Sequence, residues 1–217
     1  AEIATIDLDF VTEDLPKLIN SMQTGAERIK KIVESLRTFS RLDEAELKTI
    51  DIHEGINSTL MILESRLYKK PDRPAIEVIK EYGDLQPVEC YAGQLNQVFI
   101  NILSNAIDAL EESLKHFTEN GERFDRPHIK IRTELTPDDQ VIIAIANNGL
   151  GISEDIKERI FDPFFTTKPV GKGTGMGLSI CYQIITEKHG GSIECHSQLE
   201  QGTEFVIRIP FSVKQTS

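Results

Sequence analysis

Residues Asn147 to Ile180 constrain this chain more than any other stretch. They read NNGLGISEDIKERIFDPFFTTKPVGKGTGMGLSI and hold six of its 14 glycines, in two clusters. Gly149 and Gly151 form a G-x-G directly after the apolar run Val141 to Ala146. Gly171, Gly173, Gly175 and Gly177 alternate into Met176, Leu178 and Ile180. Glycine lets the backbone take positive φ and lets a ligand approach the main chain. A G-x-G that opens an apolar helix leaves N–H groups free at a helix N-terminus, where anions bind. Lys168 and Lys172 add positive charge beside those donors. The outline is a phosphate-binding lid; a glycine-rich surface loop is the competing reading. Two familiar nucleotide motifs do not fit. No G-x-x-x-x-G-K-[ST] string occurs, and the G-x-G-x-G-x-G repeat lies late in the chain, outside any βαβ unit.

The 217 residues allow one domain of ordinary size with an accessory element. A net charge of −11 argues against nucleic acid as a partner. Cys90, Cys181 and Cys195 are odd in number and make no C-x-x-C, so they read as reduced thiols of a cytoplasmic protein. No apolar run reaches the roughly 18 residues of a membrane span, and no signal peptide opens the chain. Ala1 stands where a methionine would, which suggests a piece of a longer protein. Any membrane link then runs through other parts of that parent.

From about Asp14 to Arg41, Leu15, Leu18, Met22, Ile29, Ile32, Leu36 and Phe39 keep the a and d positions of one heptad frame, with Gly25 the lapse. Ile19 and Val33 widen the stripe. A dimerising helix is expected over a helix packed on its own domain, because RLDEAELKT behind it reads as a polar hinge. Asp51 is a plausible N-cap for a helix from Ile52 to about Leu67. Ile76–Tyr82 and Val88–Tyr91 read as strands around a Gly-Asp turn. A long helix follows from Ala92 to about Leu114, burying Leu95, Val98, Phe99, Ile102, Leu103, Ala106 and Leu110. Strands at 129–135 and 141–146 precede the glycine clusters. A helix at 177–188 and strands at 192–197 and 203–209 close the chain. With strands pairing locally and helices on one face, the class is α+β, a two-layer α/β sandwich behind a long helix. Residues 1–46 form the connector and helix, and 47–217 the globular domain.

Asn101, Asn105 and Asp108 lie at i, i+4 and i+7 of the long helix, a stripe roughly 60° wide. Asn and Asp are poor helix-interior residues, because they compete for backbone hydrogen bonds. Three stacked together point to a ligand. Amide oxygens with one carboxylate suit a Mg²⁺ ion that leans on substrate phosphates. A polar face without a ligand is the alternative.

Together these motifs resemble the ATP-binding catalytic domain of bacterial sensor histidine kinases, of the Bergerat (GHKL) fold shared with type II topoisomerases and mismatch-repair ATPases. QLNQVFINILSNAIDAL resembles the N box, NNGLGI the first glycine box, FDPFFTTK the F box and GKGTGMGLSI the second glycine box. The likeness covers about residues 52–212. RIKKIVESLRTFSRLD resembles the second helix of the dimerisation and phosphotransfer hairpin. The resemblance implies a homodimer through that helix and a response-regulator receiver domain as partner. It implies ATP and Mg²⁺ as cofactors, with Asn105 the metal ligand and Asn101 and Asp108 supporting the phosphates and ribose. Asn147 stands where the family's adenine-reading Asp stands. Gly149 and Gly151 would let the backbone pass under the adenine, Ile152 would join the nucleotide-binding set, and Thr203 would sit near the amino edge of the adenine. Lys172 and the amides of Gly173, Thr174, Gly175, Met176, Gly177 and Leu178 would hold the β- and γ-phosphates. Asn101, Asn105 and Lys172 are the implied catalytic set. Phe161, Phe164 and Phe165 either hinge the lid or pack in the core.

Two departures matter. The phosphoacceptor motif is absent; H-E-G-I-N at His53 is rejected because it opens the domain's own first helix and lacks Pro-Leu. His116, His128, His189 and His196 read as surface or strand positions. Second, Asn147 replaces Asp. Three functions remain open: a kinase acting on a histidine outside this chain, a weakened ATP-dependent dimerisation scaffold, and an ATP hydrolase. Hydrolysis needs a base for water, and Asn101, at the hydrolases' Glu position by resemblance, cannot take a proton.

Overall fold

The computed structural model describes residues 46–169 and 173–212, apart from 72, 123 and 125. It also describes residues 15–20, 22, 23 and 26 ahead of them. Residues 15–20 are helical, as the heptad pattern expects, and Leu15, Leu18, Ile19 and Met22 stand exposed. Ile29, Ile32, Val33, Leu36 and Phe39 of the seam, and Gly25, lie outside the described residues.

The globular part opens with β1 (Lys48–Ile50), α1 (Ile52–Ile62) and the single turn α2 (Glu64–Leu67). Asp51 caps α1, its side chain accepting from the His53 N–H at 2.8 Å. Next come β2 (Glu77–Tyr82), β3 (Val88–Cys90) and α3 (Ala92–Glu119). β4 (His128–Leu135), β5 (Gln140–Asn147) and the turn α4 (Glu154–Lys157) follow. The chain closes with α5 (Gly177–Gln183), a π-helical continuation Ile184–Lys188, β6 (Ser192–Gln198) and β7 (Gly202–Pro210).

Five strands form one sheet in the order β2-β4-β5-β7-β6, antiparallel except for the β2–β4 pair. Local pairing therefore holds for β4–β5 and β6–β7 but not for the first two strands. β2 lies parallel to β4, with Val78 opposite Ile129. β3 pairs with β1, so Lys48 and Thr49 are sheet residues and not hinge. Side-chain alternation fixes which face of a strand is buried, but not its neighbour across a loop.

Register lays the core face out in cross-strand rows. Ile193, Ile207, Ile143 and Thr133 align in one row, and Cys195, Phe205, Ile145 and Ile131 in the next. Against these rows α3 buries Leu95, Val98, Phe99, Ile102, Leu103, Ala106, Ile107 and Leu110, and α1 buries Ile52, Ile56 and Leu60. Each large apolar side chain so removed from water contributes about 1.5–3 kcal/mol. The third row is different. Ser197, Thr203 and Asn147 occupy the same face, beside Ile129. The core face turns polar at this one end, and the first glycine cluster follows directly from Asn147.

His189 is not a surface or strand residue: it ends the π segment and is 1% exposed. The Tyr91 N–H donates to its Nε2 at 3.1 Å, so Nδ1 carries the proton and donates to the Ile184 carbonyl at 2.9 Å. The imidazole is neutral, and burial, partly opposed by the Ile184 bond, holds its pKa below the usual 6.5. The unfolded chain then takes up a proton more readily than the folded one. Stability is full above about pH 6.5 and falls as pH drops towards the folded pKa. We expect the thermal midpoint to decline between about pH 6.5 and 5.5, and His189→Gln to flatten that decline. Equal slopes for both proteins would contradict it.

Candidate functional site

α3 carries the polar stripe along the edge of this end. Asn101, Asn105 and Asp108 each have a different partner set. The Asn101 amide donates to the Gly177 carbonyl at 3.1 Å and approaches Cys181 Sγ at 3.6 Å, tying α3 to the first turn of α5. Asn105 Oδ1 accepts from Lys168 Nζ at 3.2 Å. Asp108 receives Lys168 on Oδ2 and Arg66 Nη2 on Oδ1, the latter at 2.5 Å. Burial pushes the Asp108 carboxyl up, but the two cations outweigh it and hold it below its usual 3.8. Asp108 is therefore ionised across the neutral range.

Arg66 is a site residue that the sequence reading missed. It stands on α2 and also reaches Ser104 Oγ at 3.2 Å and Glu111 at 2.7 Å. Lys70 and Arg73 reach Glu111 from the same loop. The signal was present: Arg66, Lys69, Lys70 and Arg73 crowd eight residues of an acidic chain. The Pro residues beside them drew the reading towards a helix break.

The first glycine cluster is held between α3 and the β6–β7 turn. The Leu150 N–H donates to Ser113 Oγ at 2.9 Å. On the other side the Glu200 N–H donates to the Leu150 carbonyl at 2.6 Å, and the Ile152 N–H to Ser197 Oγ at 2.9 Å. Gly151 has φ 74°, and a Cβ there would lie well under 3.0 Å from the Gln198 carbonyl oxygen. Its close approach is thus to protein backbone. Ser113 was also missed, although a buried serine on an apolar helix face is a polar group that needs a partner.

Asn147 is 7% exposed. Its Oδ1 accepts from the Gly149 N–H at 3.0 Å and its Nδ2 donates to the Thr203 carbonyl at 3.3 Å. One partner can only donate and the other only accept, so the amide has one orientation. A flipped amide, which would offer a donor to guanine, is excluded by that pair. Thr203 itself is 9% exposed, its hydroxyl 2.8 Å from Ser197 Oγ.

At the second cluster, Met176 stands at the N-cap of α5 and makes no side-chain cap bond. The first-turn N–H groups of Gly177 and Leu178 are of the kind that an anion can satisfy. Gly173, Thr174 and Gly175 lead into that turn; Gly171 and Lys172 lie outside the described residues. Phe161 packs on Tyr182 and Phe205, and Phe165 lies under the Arg159 guanidinium, while Phe164 is 75% exposed. Two of the three phenylalanines are thus packing residues. His53 stacks on Tyr82 at 4.2 Å and meets Thr133 Oγ1 at 2.8 Å, in the first turn of α1.

Metal chemistry fits this site in one way. Among the described residues no group of three His, Cys, Asp or Glu side chains could hold an ion. Asn105 and Asp108, however, already present oxygens to a cation, the Lys168 ammonium. Such a sparse donor set suits Mg²⁺ completed by water and phosphate oxygens. Cys90, Cys181 and Cys195 are free, and burial pushes Cys90 and Cys181 up to about 12, so neither offers a thiolate ligand at neutral pH. Among the described residues no helix is long and apolar enough to cross a membrane.

Comparison with known proteins agrees with this geometry. Residues 91–213, more than half of the chain, match the family described as histidine kinase-, DNA gyrase B-, and HSP90-like ATPase. The sensor kinase CckA of Brucella abortus is 37% identical over 203 residues, which cover 92% of this chain and 21% of that protein. The nucleotide-free catalytic domain of histidine kinase ThkA aligns with a TM-score of 0.62 at 33% identity, over 77% of this chain and 97% of its own. ThkA solved with the response regulator protein TrrA aligns with a TM-score of 0.59 at 28% identity, over 99% of this chain and 54% of that one. The chain spans between 21% and 44% of the length of these curated relatives. With its family match over residues 91–213 and its likeness to these kinases, the chain belongs to the histidine kinase-, DNA gyrase B- and HSP90-like ATPases, as an ATP-binding catalytic region of the sensor histidine kinase kind.

Proposed function

We propose that this region binds Mg-ATP and directs its γ-phosphoryl to a histidine of the parent protein, for relay to a response-regulator aspartate. The observation that carries the reading is the α3 stripe. Asn105 and Asp108 face a cation, and Asn101, one turn earlier, spends its amide on Gly177 and has no basic atom for a water proton. That favours transfer to a protein acceptor over hydrolysis. Asn105, with Asp108, would hold the metal, which would neutralise phosphate charge when bound. The α5 entrance, from Gly173 to Leu178, would take the β- and γ-phosphates, with Lys172 adding charge. Asn147, Gly149, Gly151, Ile152 and Thr203 would frame the base.

Residues 47–217 form the catalytic region in this proposal, and residues 1–46 supply a dimer seam. A response regulator as partner is supported by the ThkA–TrrA complex. The cytoplasmic side of a longer sensor is the expected place of action.

Calorimetric titration of the chain with ATP and GTP in Mg²⁺ tests the reading. ATP should bind more tightly: Asn147 Oδ1, held on the Gly149 N–H, keeps a second lone pair that can accept from the amino group of adenine. Failure to bind ATP would overturn the proposal. In the full-length parent, labelled ATP should leave an acid-labile, base-stable phosphate. Sedimentation should show a dimer that Ile29→Lys dissociates. A second reading, a weakened ATP-dependent scaffold, is favoured by one fact: both polar ends of Asn147 are already partnered within the protein. ATP binding without phosphorylation in the parent would select it.

A further inference from the structure

Among the described residues, Lys168 is the cation that reaches Asn105 and Asp108 from the lid side, and it is held along its length. Its N–H donates to Thr166 Oγ1 at 3.1 Å. A Cβ on Gly173 would lie 3.2 Å from Lys168 Cβ and 3.3 Å from its Cδ, so the Gly173 backbone lies against the stem of the side chain. Its ammonium bonds Asn105 Oδ1 and Asp108 Oδ2, while Arg66 fills Asp108 Oδ1. A solvated surface lysine would not be fixed at stem and tip together. A residue larger than glycine at 173 would press on the stem and displace the tip.

We propose that Lys168 is the resident cation of the nucleotide site, occupying the position on Asn105 and Asp108 that a divalent metal needs and exchanging with it. This rests on the Mg-ATP reading above. Electrostatics gives it two opposite consequences. Without metal, the ammonium screens Asp108 from the incoming phosphates, so it supports nucleotide binding. With metal, the same ammonium competes for the same oxygens, so it raises the metal concentration needed. A residue that only braces the fold would move both quantities in one direction.

The test uses the whole chain with ADP as probe. Affinity is measured calorimetrically in EDTA and across a Mg²⁺ series for wild type, Lys168→Met and Lys168→Arg. Methionine keeps the length and removes the charge. We expect Lys168→Met to weaken ADP binding in EDTA about tenfold, the loss of one charge-assisted contact. The half-saturating Mg²⁺ concentration should fall about threefold or more. Lys168→Arg should stay near wild type in both. Wild-type ADP binding with an unmoved Mg²⁺ midpoint in Lys168→Met overturns the exchange alone. No ADP binding by any of the three overturns the reading beneath it, and the exchange with it.

Discussion

Asn105→Ala is expected to remove metal-dependent nucleotide binding, with a loss of at least about 100-fold in affinity. Outer-shell changes at metal sites already cost about 10–100-fold, and Asn105 is assigned to the ligand shell itself. Its oxygen is the only atom of the stripe, besides the Asp108 carboxylate, that accepts from Lys168 among the described residues. Asn101→Ala should be milder, about tenfold, because it loses one hydrogen bond to the Gly177 carbonyl and loosens the start of α5. Calorimetric titration of both variants with Mg-ADP separates the two roles. Equal and mild losses would remove Asn105 from the metal site.

Gly151→Ala is expected to destabilise the domain by about 2–5 kcal/mol. Two terms add. A left-handed φ of 74° costs a non-glycine residue about 1 kcal/mol or more. Overpacking then costs about 1–3 kcal/mol, because the new methyl meets the rigid Gln198 backbone and not a movable side chain. The collision would push apart the Glu200–Leu150 and Ile152–Ser197 bonds that dock the first glycine cluster on the β6–β7 turn. Gly121 supplies the control. Its φ is 72°, but no described residue lies within 4 Å of a Cβ there, so Gly121→Ala should cost only the conformational term. Urea unfolding with matched m-values measures both. If the two variants lose the same stability, the Gln198 contact is not what requires glycine at 151.

The sequence by itself determined most of the elements, β1 excepted, and most of the buried faces. Leu95, Val98, Phe99, Ile102, Leu103, Ala106 and Leu110 recur with the helical period, and all of them are buried on α3. Asp51 could be read as a cap because the N-cap bond is local, reaching two residues ahead. The stripe at 101, 105 and 108 was legible for the same reason: helix geometry alone stacks those positions. What lay beyond one element was not legible. Nothing in Val88–Cys90 says that it pairs with Lys48–Ile50 and not with its nearer neighbour, because strand alternation carries no partner. His189 looked like a surface residue because its two partners, Tyr91 and Ile184, are backbone groups, and one of them lies 98 residues away. Arg66 and Lys168 stand 102 positions apart in the chain. Only the tertiary structure sets them on the two oxygens of Asp108, because an ion pair requires proximity in space and leaves no period in sequence. Asn147 shows the division within one residue. The glycine motif placed it at the site, but only the Thr203 carbonyl and the Gly149 N–H decided which way its amide faces.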